Sequence, residues 1–249
     1  FESRLQPADH LMEQILSPSP EQSAFAVLII GFLFGLYHAV EADHLAAVSA
    51  IVSEHKRVWT ASIIGGFWGL GHTISLVAVG ALVIFAKLQI SESTEAWLEG
   101  IVGIMLVFLG LNALRKIFTA EKIHAHTHAH DGHAHTHIHM HKDEAAERSH
   151  HRFAPRTVAV GLVHGLAGSA GLMLLVLPTI SSPAVAMFYL VIFGVGSIAG
   201  MMIMSLLMGL PLHFTAGRFD LVNKGIRVLA GLFSLAWGAL LVNEKLIQG

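Results

Sequence analysis

From Thr157 to Gly217 the chain runs 61 residues without one Asp, Glu, Lys or Arg. A buried core helix of a soluble domain accounts for an apolar run of 10 to 14 residues, but not for this one. The run is interrupted only by Pro178-Thr179-Ile180-Ser181-Ser182-Pro183, a turn-forming segment with two prolines. Each side of that turn is about as long as the ~20 residues that a spanning helix needs. Four other charge-free runs stand at Gln22–Val40, Val58–Ala86, Gly100–Leu114 and Val228–Asn243. The expectation is an all-α polytopic membrane protein with six spans, at roughly 23–40 (continuing toward 52), 58–86, 96–116, 157–178, 183–210 and 224–243. Only 13% of the chain is charged, against about 25% for soluble domains. A formal net charge of −2 argues against nucleic acid as a partner. The absence of cysteine excludes disulfides, iron–sulfur clusters and thiolate zinc sites.

Lys and Arg orient the spans. The segments 53–57, 115–156 and 211–227 carry twelve of them, and the opposite side carries three, Arg4, Lys87 and Lys245. The positive-inside rule places the central loop in the cytoplasm and both termini outside a cell (inner) membrane. An outside N-terminus that begins at Phe1 fits a cleaved leader.

The two halves resemble each other. Gly35-Leu36-Tyr37-His38 matches Gly161-Leu162-Val163-His164 at an offset of 126, and Gly69-Leu70-Gly71-His72 matches Gly194-Val195-Gly196-Ser197 at 125. Three spans per half force the second copy to be inverted, the plan of many secondary transporters, which place the site at the repeat interface. The expected divisions are an extracytoplasmic segment 1–22, a first three-helix repeat 23–117, a cytoplasmic loop 118–155 and a second three-helix repeat 156–249.

Ionisable groups are costly at membrane depth, about 2.5–3.5 kcal/mol for a charged one on insertion scales. Here His38, Glu41, Asp43 and His44 fall within seven residues, and His72 lies in the next span. Imidazoles with a carboxylate form a ligand set for divalent first-row metals. His38, Asp43, His44 and His72 are the candidate ligands, with Glu41 beside them. A lone His164 reads first as a satisfied structural group and second as a ligand. On a straight helix Asp43 lies about 140° from His38 and His44 about 240°. A common site therefore requires the helix to break between Ala39 and Ala42.

The central loop holds His124, His126, His128, His130, His133, His135, His137, His139 and His141. Its composition lacks a core-forming set. It reads as a disordered loop that binds divalent metal weakly and with little selectivity.

On these motifs the sequence resembles the nickel/cobalt transporter (NiCoT) family. The hallmark of that family, His, four residues, then Asp-His, stands here as His38 to His44. A second motif, Leu-Gly-His-Ser/Thr, stands as Leu70-Gly71-His72-Thr73. The compact form with Gly161 to Ser169 is similar to the UreH-type six-span branch. The resemblance implies carriage of Ni²⁺ or Co²⁺ as substrate through His38, Asp43, His44 and His72, with no catalytic cofactor. It covers the first two spans well and the rest by layout. The acidic second-half motif of the larger eight-span members is not found, because Gly161 to Gly171 holds no carboxylate.

The function expected is uptake of a divalent transition metal across the bilayer, not enzymatic catalysis, with a cytoplasmic metallochaperone as a candidate partner. No phosphate-binding G-x-x-x-x-G-K-[ST] run is present. Efflux through the same site is one rival. An intramembrane metalloenzyme is another, though its His-Glu-x-x-His signature is absent. A metal sensor anchored by its spans is a third.

Overall fold

The computed structural model describes residues 20–53, 55, 57–87, 90–119, 124–130, 133–139, 150–167, 180 and 182–248. For 20–24, 124–130, 133–139, 150–153 and 167 it describes the backbone alone. The helices are α1 (Pro20–His38), α2 (Ala42–Val52), α3 (Val58–Ala86), α4 (Glu92–Thr119), α5 (His150–Ala167), α6 (Pro183–Thr215) and α7 (Asp220–Val242). A π-helical turn, Asn243–Ile247, extends α7. The expected segment 1–22 lies outside the described residues up to residue 19, as does 168–178 of the fourth span.

Four of these helices are long and apolar enough to cross a membrane: α3, α4, α6 and α7 with its extension. Counting α1 and α2 as one span bent by 55° makes five. The remaining expected span, 157–178, is described only as far as Ala167, in α5. Helix ends overrun the charge-free runs, because hydropathy marks the membrane boundary and a helix is free to continue past it. Thus α5 starts at His150 and carries Arg152 and Arg156 in its first turns.

In lipid, apolar side chains gain nothing by leaving the solvent, so helices associate through close backbone contact and hydrogen bonds. The outer surface is accordingly apolar, with Phe85, Phe108, Phe188 and Leu229 exposed. Small residues line the seams. On α1, Gly31 meets Tyr189 and Gly35 meets Phe193, while Gly200 meets Leu36 and Ala39. These contacts advance together along both helices, so α1 and α6 run parallel. Gly161 meets Trp68 and Gly165 meets His72, so α5 and α3 run parallel as well. Along α3 and α6 the order reverses: Gly65 meets Ser205, Gly69 meets Ile198 and Gly194 meets Thr73. Gly103 faces Gly238 and Gly110 faces Gly231, which makes α4 and α7 antiparallel. The hydroxyls of Ser62, Thr73 and Ser234 donate across the seams to the carbonyls of Met202, Gly194 and Leu106.

The short helix α2 is almost wholly interior. Ala46, Ala47 and Ala50 keep it narrow enough to enter, and with Val48 and Val52 it packs in one core with Trp68, Leu106 and Met201.

Residues 124–130 and 133–139 pair as an antiparallel hairpin, β1 and β2. The sequence reading preferred a disordered loop to the strand that the period of two also allowed. Its period of two satisfies the pleat, although neither face carries a core-forming set.

Candidate metal centre

The chain breaks after His38. Val40 N donates to the Tyr37 carbonyl at 2.9 Å and Glu41 N to the His38 carbonyl at 3.2 Å. Glu41 is extended, at φ −63° and ψ 150°, and α2 begins at Ala42. The break falls in the interval that the angular argument required. Its consequence is electrostatic as well as geometric. His38 stands in the last turn of α1 and Asp43 in the first turn of α2, where the helix dipoles favour a cation and an anion respectively.

Five candidate residues converge at this break. His38, His44, His72 and His164 are completely buried. The His44 ring is the hub, its centroid 4.3 Å from that of His38, 4.2 Å from His164 and 5.1 Å from His72. His38 Nε2 and His72 Nε2 lie 3.2 Å apart, sharing one proton between them. Asp43 accepts from both sides: His44 Nδ1 stands 2.9 Å from Oδ1 and His164 Nε2 3.0 Å from Oδ2. Its Oδ1 also accepts from the His44 backbone N–H at 2.8 Å.

This arrangement fixes tautomers. A neutral His44 that donates from Nδ1 keeps its lone pair on Nε2, and a neutral His164 that donates from Nε2 keeps it on Nδ1. Neither of these atoms has a hydrogen-bond partner among the described residues, nor has Nδ1 of His72. Leaving a buried polar atom unpaired costs about 1–3 kcal/mol. The free nitrogens of His44 and His164 are thus electron-pair donors without a proton to bind, and Nδ1 of His72 is unpartnered beside them among the described residues. A carboxylate that orients imidazoles whose other nitrogen is free is the usual second layer of a metal site. Two sets of three donors each gather their ligand atoms within 4.8 Å: His38, His44 and His72, and Asp43, His44 and His164. His44 belongs to both.

Glu41 stands at the rim. Its Oε1 is 2.9 Å from His38 Nδ1, and its side chain is 32% exposed where Asp43 is 17%. Trp68 closes one side, with its ring 5.3 Å from His44 and 5.2 Å from His164, and Phe193 lies 5.5 Å from His38.

The structure brings His164 into the cluster, against its first reading as a satisfied group. The sequence reading passed over Trp68, whose buried indole N–H has no partner among the described residues, and Ser197, whose buried hydroxyl has none among them either. Ser197 occupies in α6 the place that His72 holds in α3, so the repeat offset was the signal for it. For the loop histidines 124–139 the backbone alone is described, and His141 lies outside the described residues.

The chain is 34% identical over 228 residues to the urease accessory protein UreH of Bacillus sp. (strain TB-90), a match covering 86% of this chain and 89% of that protein. It is 27% identical over 175 residues to the chloroplast protein FOR GROWTH AND FERTILITY 1 of Arabidopsis thaliana, covering 69% of this chain and 46% of that one. With FOR GROWTH AND FERTILITY 2 of the same plant the identity is 25%, over 69% and 44%. No family model matches, and no solved structure does.

Proposed function

We propose that this chain, which belongs to the UreH family, carries a divalent transition metal ion across a membrane, with Ni²⁺ as the preferred substrate and Co²⁺ as a close second. One observation carries the reading: four buried imidazoles and one carboxylate from α1, α2, α3 and α5 meet at a break in a membrane helix, with three ring nitrogens unpartnered among the described residues. Imidazole nitrogen suits nickel, cobalt, zinc and copper. The printed name of the relative ties that protein to urease, a link that favours nickel among these ions.

The substrate would be held by His38, His44 and His72, with Asp43 orienting His44 and His164 behind them, or, once the protons that His44 and His164 give to Asp43 have left, by Asp43, His44 and His164, and His44 would stay attached as the ion passes from one set to the other. Sharing a ligand avoids a bare intermediate, which a low-dielectric interior would penalise severely. Glu41 at the rim would attract the ion before it sheds water. In this reading the chain is two inverted three-helix repeats, 23–117 and 156–249, with both termini outside a cell membrane. The pairing at the seams supports it: the first helix of each half packs on the second of the other, α1 on α6 and α5 on α3, while α3 packs on α6 and α4 on α7. Transport would follow rocking of the repeats about the site. The direction proposed is inward, toward the histidine-rich loop and a chaperone that takes up the metal.

The test is ⁶³Ni²⁺ movement into sealed proteoliposomes of known orientation, wild type against Asp43→Ala. Flux that requires Asp43, with Co²⁺ competing, is the expected result. A folded wild type that binds nickel yet passes none would overturn the permease.

A further inference from the structure

The contacts around Ser197 repeat those around His72. A Cβ at Gly161 of α5 would press on the carbonyl of Trp68 and stand 2.9 Å from the amide nitrogen of His72. A Cβ at Gly35 of α1 would press on the carbonyl of Phe193 and stand 2.8 Å from the amide nitrogen of Ser197. The aromatic rings repeat as well. Trp68 lies 5.2 Å from His164, three residues on from Gly161, and Phe193 lies 5.5 Å from His38, three residues on from Gly35. Ser197 is thus seated on α1 as His72 is seated on α5, one turn past the aromatic residue, which directs its side chain toward the break. It is completely buried, and its hydroxyl has no partner among the described residues.

A hydroxyl in that place supplies something the imidazoles lack, an acceptor for the protons of water. Each ligand set offers three donors. Zn²⁺ is satisfied by four ligands in a tetrahedron, which the four histidines and Asp43 can furnish among themselves. Ni²⁺ takes nitrogen and oxygen in a tetragonal array, so it keeps water where the protein donors run out. A water on a buried ion has protons to place, and leaving a buried polar group unpaired costs about 1–3 kcal/mol. Asp43 already accepts from His44 and His164, and Glu41 pairs with His38. The indole N–H of Trp68 can only donate. Ser205, a second buried hydroxyl without a described partner, lies two turns further along α6 against Gly65. Ser197 offers, beside the cluster, an acceptor that no described residue uses.

We infer that the Ser197 hydroxyl holds a water molecule on the bound ion and thereby sets the preference of the cluster for Ni²⁺ and Co²⁺ over Zn²⁺. The inference rests on the reading of this cluster as the substrate site. Serine where the first half has His72 is then a means of selection. A nitrogen there would take the place of the water and favour the tetrahedral ion.

The test compares the full-length wild type with Ser197→Ala in detergent. Competition dialysis reads the affinities for Ni²⁺ and Zn²⁺. The visible absorption of bound Co²⁺ reads its ligand number, because the bands are weak with six ligands and intense with four in a tetrahedron. Whatever the histidines of 124–141 bind is the same in both proteins and cancels in the difference. The expected result is that the Co²⁺ bands intensify in the variant, while Ni²⁺ affinity falls about tenfold and Zn²⁺ affinity changes less than about threefold. Neither readout needs flux, so a failed permease and a failed Ser197 assignment are separate results. An unchanged ratio of Ni²⁺ to Zn²⁺ affinity, or a Co²⁺ spectrum alike in both proteins, would overturn the inference.

Discussion

Gly161→Ala tests whether the site is held by backbone contact between α5 and α3. A Cβ at Gly161 would stand 2.9 Å from the amide nitrogen of His72 and closer still to the carbonyl oxygen of Trp68. Ordinary contact begins at 3.4 Å, so the helices must part by half an ångström at His72 and by more at Trp68. Backbone atoms cannot swing aside as a side chain would. The parting carries His164, one turn on from Gly161, away from Asp43 and His44. Constellations of this kind tolerate about 0.5 Å of misplacement, and a displacement near 1 Å costs on the order of 10²-fold where geometry governs the rate. Overpacking itself costs about 1–3 kcal/mol. The expectation is a nickel flux lowered by about ten- to a hundredfold, with a melting temperature a few degrees down in detergent. Gly35→Ala should behave alike, because its Cβ would stand 2.8 Å from the amide nitrogen of Ser197 and closer to the Phe193 carbonyl. Gly225→Ala is the control: no described atom lies within 4 Å of its Cβ, and a helical Ala for Gly gains about 0.5–1 kcal/mol. A Gly161→Ala protein with wild-type flux and melting would refute the close seam and with it the positioning of His164.

His164→Ala should weaken Ni²⁺ binding by about 10- to 100-fold, measured by dialysis, while Glu41→Gln at the rim changes it less than tenfold; equal effects would remove the distinction between rim and cluster. Ser197→Ala deletes a buried hydroxyl that bonds to nothing described, so thermal unfolding should show a change within about 0.5 kcal/mol or a slight gain. A loss of several degrees would mean that the hydroxyl has a partner. The Glu99–Lys245 pair is 2.7 Å long but about a third exposed on each side. Glu99→Gln should therefore cost at most about 1 kcal/mol, and the difference should shrink in 1 M salt, where screening reaches about 3 Å.

What the sequence disclosed follows from what is costly in a membrane. Charge is excluded from lipid-facing helices, so α3 could be bounded at Val58 and Ala86 from composition alone. A carboxylate between histidines is costly there too, which made residues 38–44 conspicuous, and simple helix rotation then demanded the break that separates α1 from α2. The 55° bend is another matter, because it depends on how the alanine face of α2 seats against α6 and α7. His164 was hard to see for a related reason. Nothing within its own helix marks it, since the carboxylate that binds it lies 121 residues away, and only the repeat offset from His38 pointed there. That offset also shows why the halves are not interchangeable. The position equivalent to His72 is Ser197, so the second half supplies one imidazole where the first supplies three and the carboxylate. In the transport proposed above, a donor set this uneven would place the ion on the side of the first half, with the second half bringing His164 to Asp43 and taking it away.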